Sequence, residues 1–284
     1  MSISIILPAK NEASGLRGVL PRLRALYPEA EIIVVDDGSS DDSADLVVQL
    51  GCTLIHHPYS KGNGAAIKSG ARAAQGDILV FMDADGQHHP EDIPRLLDAL
   101  HQGYDMVVGA RGQSGQANRH RALANGLYNR LASWMVEHRI ADLTSGFRAV
   151  RAHKFKQFLH LLPNGFSYPT TITMSFFRAG YAVEYLPIEA SRREGRSHIR
   201  LFRDGFKFFM IIFKIATLYS PLKMFLPIAL TFFLTGLGYY SYTFLAFHRL
   251  TIMSALLFIT AVLVFLMGLI SEQITALHFK NTED

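Results

Sequence analysis

Asp83-Ala84-Asp85-Gly86-Gln87 is the segment whose residue types and spacing most resemble a site of chemistry. In an extended stretch, side chains two apart point the same way, so Asp83 and Asp85 would present two hard oxygen ligands on one side, with Gln87 as a third. Such a set suits Mg²⁺ or Mn²⁺, and a metal held there would neutralise a diphosphate and help it leave. A solvated acidic turn has the same local composition. The position directly after the apolar run Ile78-Leu79-Val80-Phe81-Met82 favours the metal. Asp36-Asp37-Gly38-Ser39 likewise follows a valine-rich run. Its carboxylates could accept hydrogen bonds from a base N–H or a ribose hydroxyl. Lys61-Gly62-Asn63-Gly64 either touches phosphate or simply starts a helix, and it lacks the P-loop spacing. His88 and His89 read as polar loop rather than as metal ligands, and Trp134 as packing or an interface anchor.

Elements that could position these residues follow from hydrophobic periodicity. Ile3–Leu7, Ile32–Val35, Thr53–Ile55, Ile78–Met82 and Met106–Val108 read as buried strands, β-branched and without polar alternation. Helical patterns lie between them near 14–26, 41–50, 63–74, 91–102 and 118–138. Ser40 or Asp41 can cap the second helix and Gly51 can end it, while Pro21 should start or kink a turn in the first. This alternation predicts an open α/β, mostly parallel, Rossmann-like sheet. Ligands of such sheets bind beyond the carboxyl ends of the strands. The residues there are Pro8-Ala9-Lys10-Asn11-Glu12, the Asp36 and Asp83 segments, and Gly109-Ala110-Arg111.

The rest of the chain has a different composition. Residues 1–220 hold 25 of the 28 Lys/Arg and 21 of the 24 Asp/Glu, whereas 221–271 hold two basic residues and no acidic one. Met224–Phe247 (24 residues) and Leu250–Ser271 (22 residues) carry no formal charge. About 20 apolar residues suffice for a helix to cross a bilayer, so a two-helix transmembrane hairpin is expected over 221–271, turning at His248-Arg249. Arg200, Arg203, Lys207, Lys214 and Lys223 precede the hairpin and Lys280 follows it, with only Arg249 between. That asymmetry predicts a multi-pass protein of the inner (plasma) membrane, with both termini and the large domain cytoplasmic. The N-terminus reads as a strand rather than a signal peptide. Within 201–220, Arg203, Lys207 and Lys214 share with Arg200 a sector of about 60° on a helical wheel, which predicts an amphipathic helix at the membrane surface. The lone Cys52 excludes an intramolecular disulfide and a cysteine-rich zinc site. A net charge of +4 does not call for nucleic acid.

Pro8-x-x-Asn11-Glu12, Asp36-Asp37-Gly-Ser, Lys61-Gly-Asn-Gly, Asp83-Ala-Asp85-Gly-Gln87 and Ser145-Gly146-Phe147-Arg148 stand in the order found in inverting GT-A glycosyltransferases. The chain most resembles their dolichyl-phosphate-mannose-synthase-like, polyprenyl-phosphate branch. The resemblance implies a GT-A catalytic domain over 1–200, a juxtamembrane helix over 201–220, two transmembrane helices over 221–271 and a cytoplasmic tail over 272–284. It further implies a nucleotide-sugar donor (a UDP- or GDP-hexose), Mg²⁺ or Mn²⁺, and an undecaprenyl or dolichyl phosphate acceptor.

Carried over, Pro8, Asn11, Glu12 and Asp37 would hold the nucleoside and Asp83 would face the diphosphate. Asp85 and Gln87 would complete the metal site with Asp83, and Arg111 and Arg148 would meet the diphosphate and the acceptor phosphate. Arg192 and Ser197 fit the family's Arg-x-x-Gly-x-Ser loop over the donor, with His198 where the family often has lysine. A lipid phosphate is already an anion, so no general base is nominated, and Asp85 is the residue expected to be essential. A processive polysaccharide synthase is disfavoured because Gln-x-x-Arg-Trp is absent. The remaining alternatives are a protein or glycan acceptor and a non-catalytic membrane scaffold. Two helices are too few to carry a sugar across a bilayer, which points to a separate flippase. A homo-oligomer is compatible with these features.

Overall fold

The apolar runs form strands, four of them slightly longer than periodicity alone indicates and the fourth in the chain one residue shorter. In the computed structural model these are β1 (Ile3–Ala9), β2 (Glu31–Asp36), β3 (Thr53–His56), β4 (Ile78–Phe81) and β5 (Met106–Arg111). Two further strands, β6 (Arg148–Arg151) and β7 (Val183–Ile188), complete one sheet in the order β3-β2-β1-β4-β6-β5-β7. All pairings are parallel except those of β6, which runs against both β4 and β5. The start of β6 therefore lies at the same sheet edge as the carboxyl ends of β4 and β5. Phe81 and Val108 both pair with Arg148, so Asp83 is brought beside the turn that precedes β6. The structure describes residues 1–111, 119–165, 167–189, 213, 217 and 219–280.

Helices cover both faces of the sheet. On one face α1 (Ala13–Leu26) and α4 (Ile93–His101) bury Leu16, Val19, Leu20, Leu23, Ile93, Leu96 and Leu100 against Ile5, Leu7, Val34 and Val80. Each such side chain contributes about 1.5–3 kcal/mol by leaving water. On the other face α3 (Asn63–Ala73) crosses β1 and β2, where Gly70 packs so closely on Ile6 and Val35 that a Cβ would lie 2.4 and 3.2 Å from their methyl groups, the first without room. At the start of α2 (Ser43–Gln49) the N-cap position falls on Asp42, not on Ser40 or Asp41, although Asp41 accepts the amide of Ser43 (3.1 Å); Gly51 at φ +65° follows its end, as expected. Pro21 neither starts nor interrupts a helix, since α1 runs through it with the ring on the exposed side. The remaining helices are α5 (Arg119–Val136), α6 (Ala152–Gln157) and α7 (Tyr168–Arg178).

Residues 1–198 and 199–284 form two separate units. In the second, α8 (Pro221–Phe247) and α9 (Ile252–Lys280) contain stretches of 27 and 26 residues that are long and apolar enough to cross a membrane. They meet through glycines. A Cβ at Gly236 would touch Leu257 at 3.1 Å, and one at Gly268 would lie 2.8 Å from Phe225. Leu230, Phe232, Leu234, Val262 and Leu266 are left on the outside. Thr231, Thr235, Ser241 and Thr260 return their hydroxyls to the carbonyl four residues back, so these polar groups are satisfied within the helix. His248, at φ +48°, closes α8 by donating its amide to Phe244 O (2.9 Å). Apart from 213, 217, 219 and 220, the expected amphipathic segment lies outside the described residues, as do 281–284 of the tail.

Candidate active site

Two loops at the sheet edge are fastened to each other. Asn11 adopts φ +54°, a left-handed conformation that asparagine tolerates. Its amide N–H donates to Ser39 Oγ (2.9 Å), and its Oδ1 accepts from Ser40 N (2.8 Å). Glu12 N donates to Ser43 Oγ (3.2 Å), and Pro8 is half-buried in β1 beside Val35 of β2. Pro8, Asn11 and Glu12 thus lie together next to the Asp36-Asp37 segment.

Asp37 differs from expectation. Its carboxylate is buried, and both oxygens are filled: Oδ1 by His57 Nδ1 and Lys61 N, Oδ2 by Ser60 Oγ and Gly62 N, at 2.7–2.8 Å. It therefore orders the 57–62 loop instead of presenting a free acceptor to a base. Burial would raise its pKa, but the hydrogen bonds from His57, Lys61, Ser60 and Gly62 prevail and hold it at about 2. A carboxylate acceptor requires the proton on His57 Nδ1, which leaves Nε2 to accept from Ser69 Oγ (2.9 Å). The Lys61-Gly-Asn-Gly segment starts α3, and Asn164 O accepts one of its first amides, that of Ala65 (3.1 Å).

The acidic segment after β4 is a turn, not an extended strand. The alternation expected for Asp83, Asp85 and Gln87 is replaced by a loop in which Gln87 N donates to Asp85 Oδ1 (3.1 Å) and Gly86 takes φ +74°. The glycine makes the turn possible, and Ala84 O lies directly against Gly15 of α1, where any side chain would collide. Asp83 rests on Gly146 with its side chain 39% exposed, which leaves the carboxylate reachable from solvent. His88 is no polar loop residue. It is buried and stacked on Phe147 (5.0 Å between centroids), with Nδ1 3.9 Å from Asp83 Oδ2. That Nδ1 has no hydrogen-bond partner among the described residues. Desolvation raises the Asp83 pKa against the pull of His88, Asp85 raises it further, and Arg111 and Arg148 lower it. Desolvation also lowers the His88 pKa.

Arg111, at the carboxyl end of β5, is gripped by a residue the motifs do not single out. Its Nε donates to Asp142 Oδ2 (2.9 Å), and its Nη2 donates to Asp142 Oδ1 (3.2 Å) and Thr144 Oγ1 (2.7 Å). The side-chain amide of Asn129 on α5 fixes both neighbours of Asp142, donating to Ala141 O (2.8 Å) and accepting from Leu143 N (3.1 Å). Burial would raise the Asp142 pKa, but Arg111 holds it down. Burial likewise works against the charge on Arg111, and its carboxylate neighbours Asp142, Asp83 and Asp85 prevail and raise its pKa. Nη1 of Arg111 makes no hydrogen bond to a described residue. The one signal for Asp142 in the sequence is its place three residues before Ser145-Gly-Phe-Arg.

Arg148 corrects a further expectation. It is wholly buried, its Nη1 and Nη2 groups are directed to protein atoms, and it cannot meet an acceptor phosphate in this conformation. Arg192 and Ser197 lie outside the described residues, as do Arg196, His198 and Arg200.

The acidic turn fits a divalent cation only in part. Among the described residues no three His, Cys, Asp or Glu side chains converge on one point. Mg²⁺ is commonly held by one or two carboxylates with substrate phosphate and water supplying the rest. Asp83 and Asp85 on one solvent-reachable turn, with the unpartnered His88 Nδ1 behind them, match that mode.

Comparison with known proteins agrees with this architecture. Over 211 residues the chain is 32% identical to an undecaprenyl-phosphate mannosyltransferase of Micrococcus luteus, covering 68% of this chain and 85% of the relative. It is 30% identical to a polyprenol monophosphomannose synthase of Mycolicibacterium smegmatis, covering 67% of this chain and 77% of that one. Against an undecaprenyl-phosphate 4-deoxy-4-formamido-L-arabinose transferase of Photorhabdus laumondii it is 35% identical over 163 residues and spans about half (49%) of the relative's length. The fold is shared with glucosyl-3-phosphoglycerate synthase of Mycobacterium tuberculosis, solved with Mn²⁺ and UDP-glucose (TM-score 0.61, 24% identity, 76% of this chain and 78% of that one). Residues 220–277 match the GtrB C-terminal hairpin and residues 4–159 the glycosyl transferase family 2 domain, and the chain belongs to glycosyl transferase family 2.

Proposed function

We propose that this protein is a membrane-anchored inverting glycosyltransferase that moves a hexose from a UDP- or GDP-sugar to a polyprenyl phosphate at the cytoplasmic leaflet. The observation that carries the reading is Arg111. Asp142 grips its Nε–Nη2 edge and Thr144 takes a further Nη2 bond, while Nη1 bonds to no described residue, within electrostatic reach of Asp83 and Asp85 beyond the end of β4, which runs in the same direction on the far side of β6. Anion-binding and cation-binding groups thus converge at one sheet edge, which is what two phosphorylated reactants require. The names of two relatives specify polyprenyl-phosphate or polyprenol mannosyl transfer, and the hairpin supplies a means of staying at the bilayer.

The acceptor phosphate is anionic at neutral pH, so the chain's task is positioning and charge neutralisation rather than deprotonation. Arg111 orients an anionic oxygen through Nη1 while Asp142 and Thr144 keep its plane fixed. Pro8, Asn11 and Glu12 line the nucleoside end, and Asp37 shapes that wall by fastening residues 60–62. Asp83, Asp85 and Gln87 would hold Mg²⁺ or Mn²⁺, which when bound offsets the charge of the departing diphosphate. In-line attack by the acceptor oxygen on the anomeric carbon inverts it as the sugar–diphosphate bond breaks.

The test is to screen UDP- and GDP-sugars against short polyprenyl phosphates with Mn²⁺, using the detergent-solubilised full chain and its Asp85→Ala variant. Transfer by the wild type that collapses in the variant supports the reading. Full turnover by Asp85→Ala overturns the metal assignment, and transfer to a peptide or glycan in place of the lipid overturns the acceptor.

A further inference from the structure

Arg148 is the largest wholly buried side chain among the described residues, and it is a cation. Its acceptors are two carbonyls, a hydroxyl and a thioether, with no carboxylate among them. Nη2 donates to Ser145 O, and Nη1 faces Pro169 O (3.3 Å), Thr173 Oγ1 (3.2 Å) and Met106 Sδ (3.8 Å). Nε has no partner among the described residues, and the guanidinium carbon lies 5.9 Å from the centre of the Tyr168 ring. Burying a cation that no carboxylate touches is destabilising, even with Asp83 and Asp142 acting on it at longer range, and an apolar residue of similar volume would serve packing better. Stability alone does not account for it.

What the guanidinium holds is informative. Ser145, whose carbonyl it fixes, is itself buried and donates its hydroxyl to Gly109 O of β5 (2.6 Å). The next residue, Gly146, is the surface on which the Asp83 carboxylate lies: a Cβ there would sit 3.0 Å from Oδ1 and 3.1 Å from Oδ2. The turn and the carboxylate are thus separated by less room than a methyl group needs, so the position of the turn bounds that of Asp83. At the other end, Pro169 and Thr173 belong to the first turns of α7, so the arginine ties that helix to the turn beneath Asp83.

We propose that Arg148 is a positioning residue: from inside the domain it fixes the Ser145-Gly146 turn and, through it, the carboxylate of Asp83. This rests on the metal-assisted transfer proposed above, and it replaces a direct contact of Arg148 with phosphate.

The test titrates Mn²⁺ by electron paramagnetic resonance into the full chain with UDP or GDP present, per folded molecule, beside acceptor kinetics. Arg148→Met is expected to weaken Mn²⁺ binding roughly 10–100-fold, the range for residues that orient metal ligands, with the acceptor KM unchanged. Arg148→Lys, which keeps the charge and can still reach Ser145 O, is expected to recover part of the loss. Unchanged Mn²⁺ affinity in folded Arg148→Met overturns the proposal, and so does a rise confined to the acceptor KM, which signifies direct acceptor contact. Should Arg148→Met not fold, Thr173→Val decides: it keeps the arginine but removes one acceptor, and a smaller loss of Mn²⁺ affinity supports the proposal whereas none overturns it. Absence of Mn²⁺ binding by the wild type with both nucleotides removes the metal reading and this inference together. Binding by the wild type with unaltered variants removes only the inference.

Discussion

Asp142 holds Arg111 as a fork, with Nε 2.9 Å from Oδ2 and Nη2 3.2 Å from Oδ1. A planar guanidinium held by two hydrogen bonds along one edge has one orientation, so Nη1 points in a fixed direction. Asp142→Asn keeps the volume but replaces one acceptor with a donor facing the arginine. The expected result is a loss of kcat/KM of about 10–100-fold, as for other residues that orient a ligand-binding group. It should appear chiefly in the acceptor KM, with Mn²⁺ affinity retained. Steady-state kinetics with varied acceptor check this, and an acceptor KM that stays constant would show that the fork does not serve the acceptor.

Gly146 gives a test of close approach. Adding one methyl group places carbon at 3.0–3.1 Å from both Asp83 oxygens, tighter than ordinary van der Waals contact. The carboxylate must move, while Gly146 itself has no left-handed backbone to lose. Gly146→Ala should therefore fold with a nearly unchanged melting temperature and bind Mn²⁺ more weakly. A variant that binds Mn²⁺ as the wild type does would mean that Asp83 is free to shift without consequence.

Much of this arrangement is legible in the sequence. Ile32–Val35 and Ile78–Phe81 are uninterrupted apolar runs rich in Ile and Val, the pattern of strands buried on both faces. The polar residues that follow them mark the site for the same reason. β6 was not legible: it is four residues long with arginine at each end, and it is a strand because β4 and β5 pair with it on both sides. β7 carries Pro187 and a mostly half-exposed pattern, which periodicity does not separate from loop. The roles of Asp37 and Arg148 are not legible, because residue type reports a capacity for hydrogen bonding, whereas burial and pairing determine whether it is already used within the protein. His57, Asp142 and Asn129 are not legible in the sequence because their partners are 12–31 residues distant, a separation that only the fold closes.

Asp37 makes acid sensitivity predictable. Its folded pKa of about 2 lies below the ordinary 3.8. The carboxylate therefore contributes stability that is complete above about pH 5 and is lost as pH falls from 3.8 towards 2. The difference corresponds to about 2 kcal/mol. Asp37→Asn lacks this titration. Its stability deficit relative to the wild type should be constant from pH 7 to about 5 and shrink by about that amount below it. Thermal unfolding of both proteins in detergent across this range measures the gap. A gap that stays level to pH 2 would mean that the carboxylate is not held by these hydrogen bonds.

The hairpin makes a prediction about sidedness. Basic residues flank its two outer ends, and only Arg249 lies in the turn, the distribution that keeps the ends cytoplasmic and exports the turn. Cys52 is the only cysteine, so Cys52→Ser gives a background in which single cysteines can be placed. With Arg249→Cys in that background, a membrane-impermeant maleimide should label intact cells. With Lys223→Cys it should label only after the membrane is opened. The reverse pattern would place the family 2 domain on the far side of the bilayer, away from cytoplasmic nucleotide sugars, and the proposed donor would be untenable. Labelling of both positions in intact cells would mean that the two helices do not cross the membrane at all.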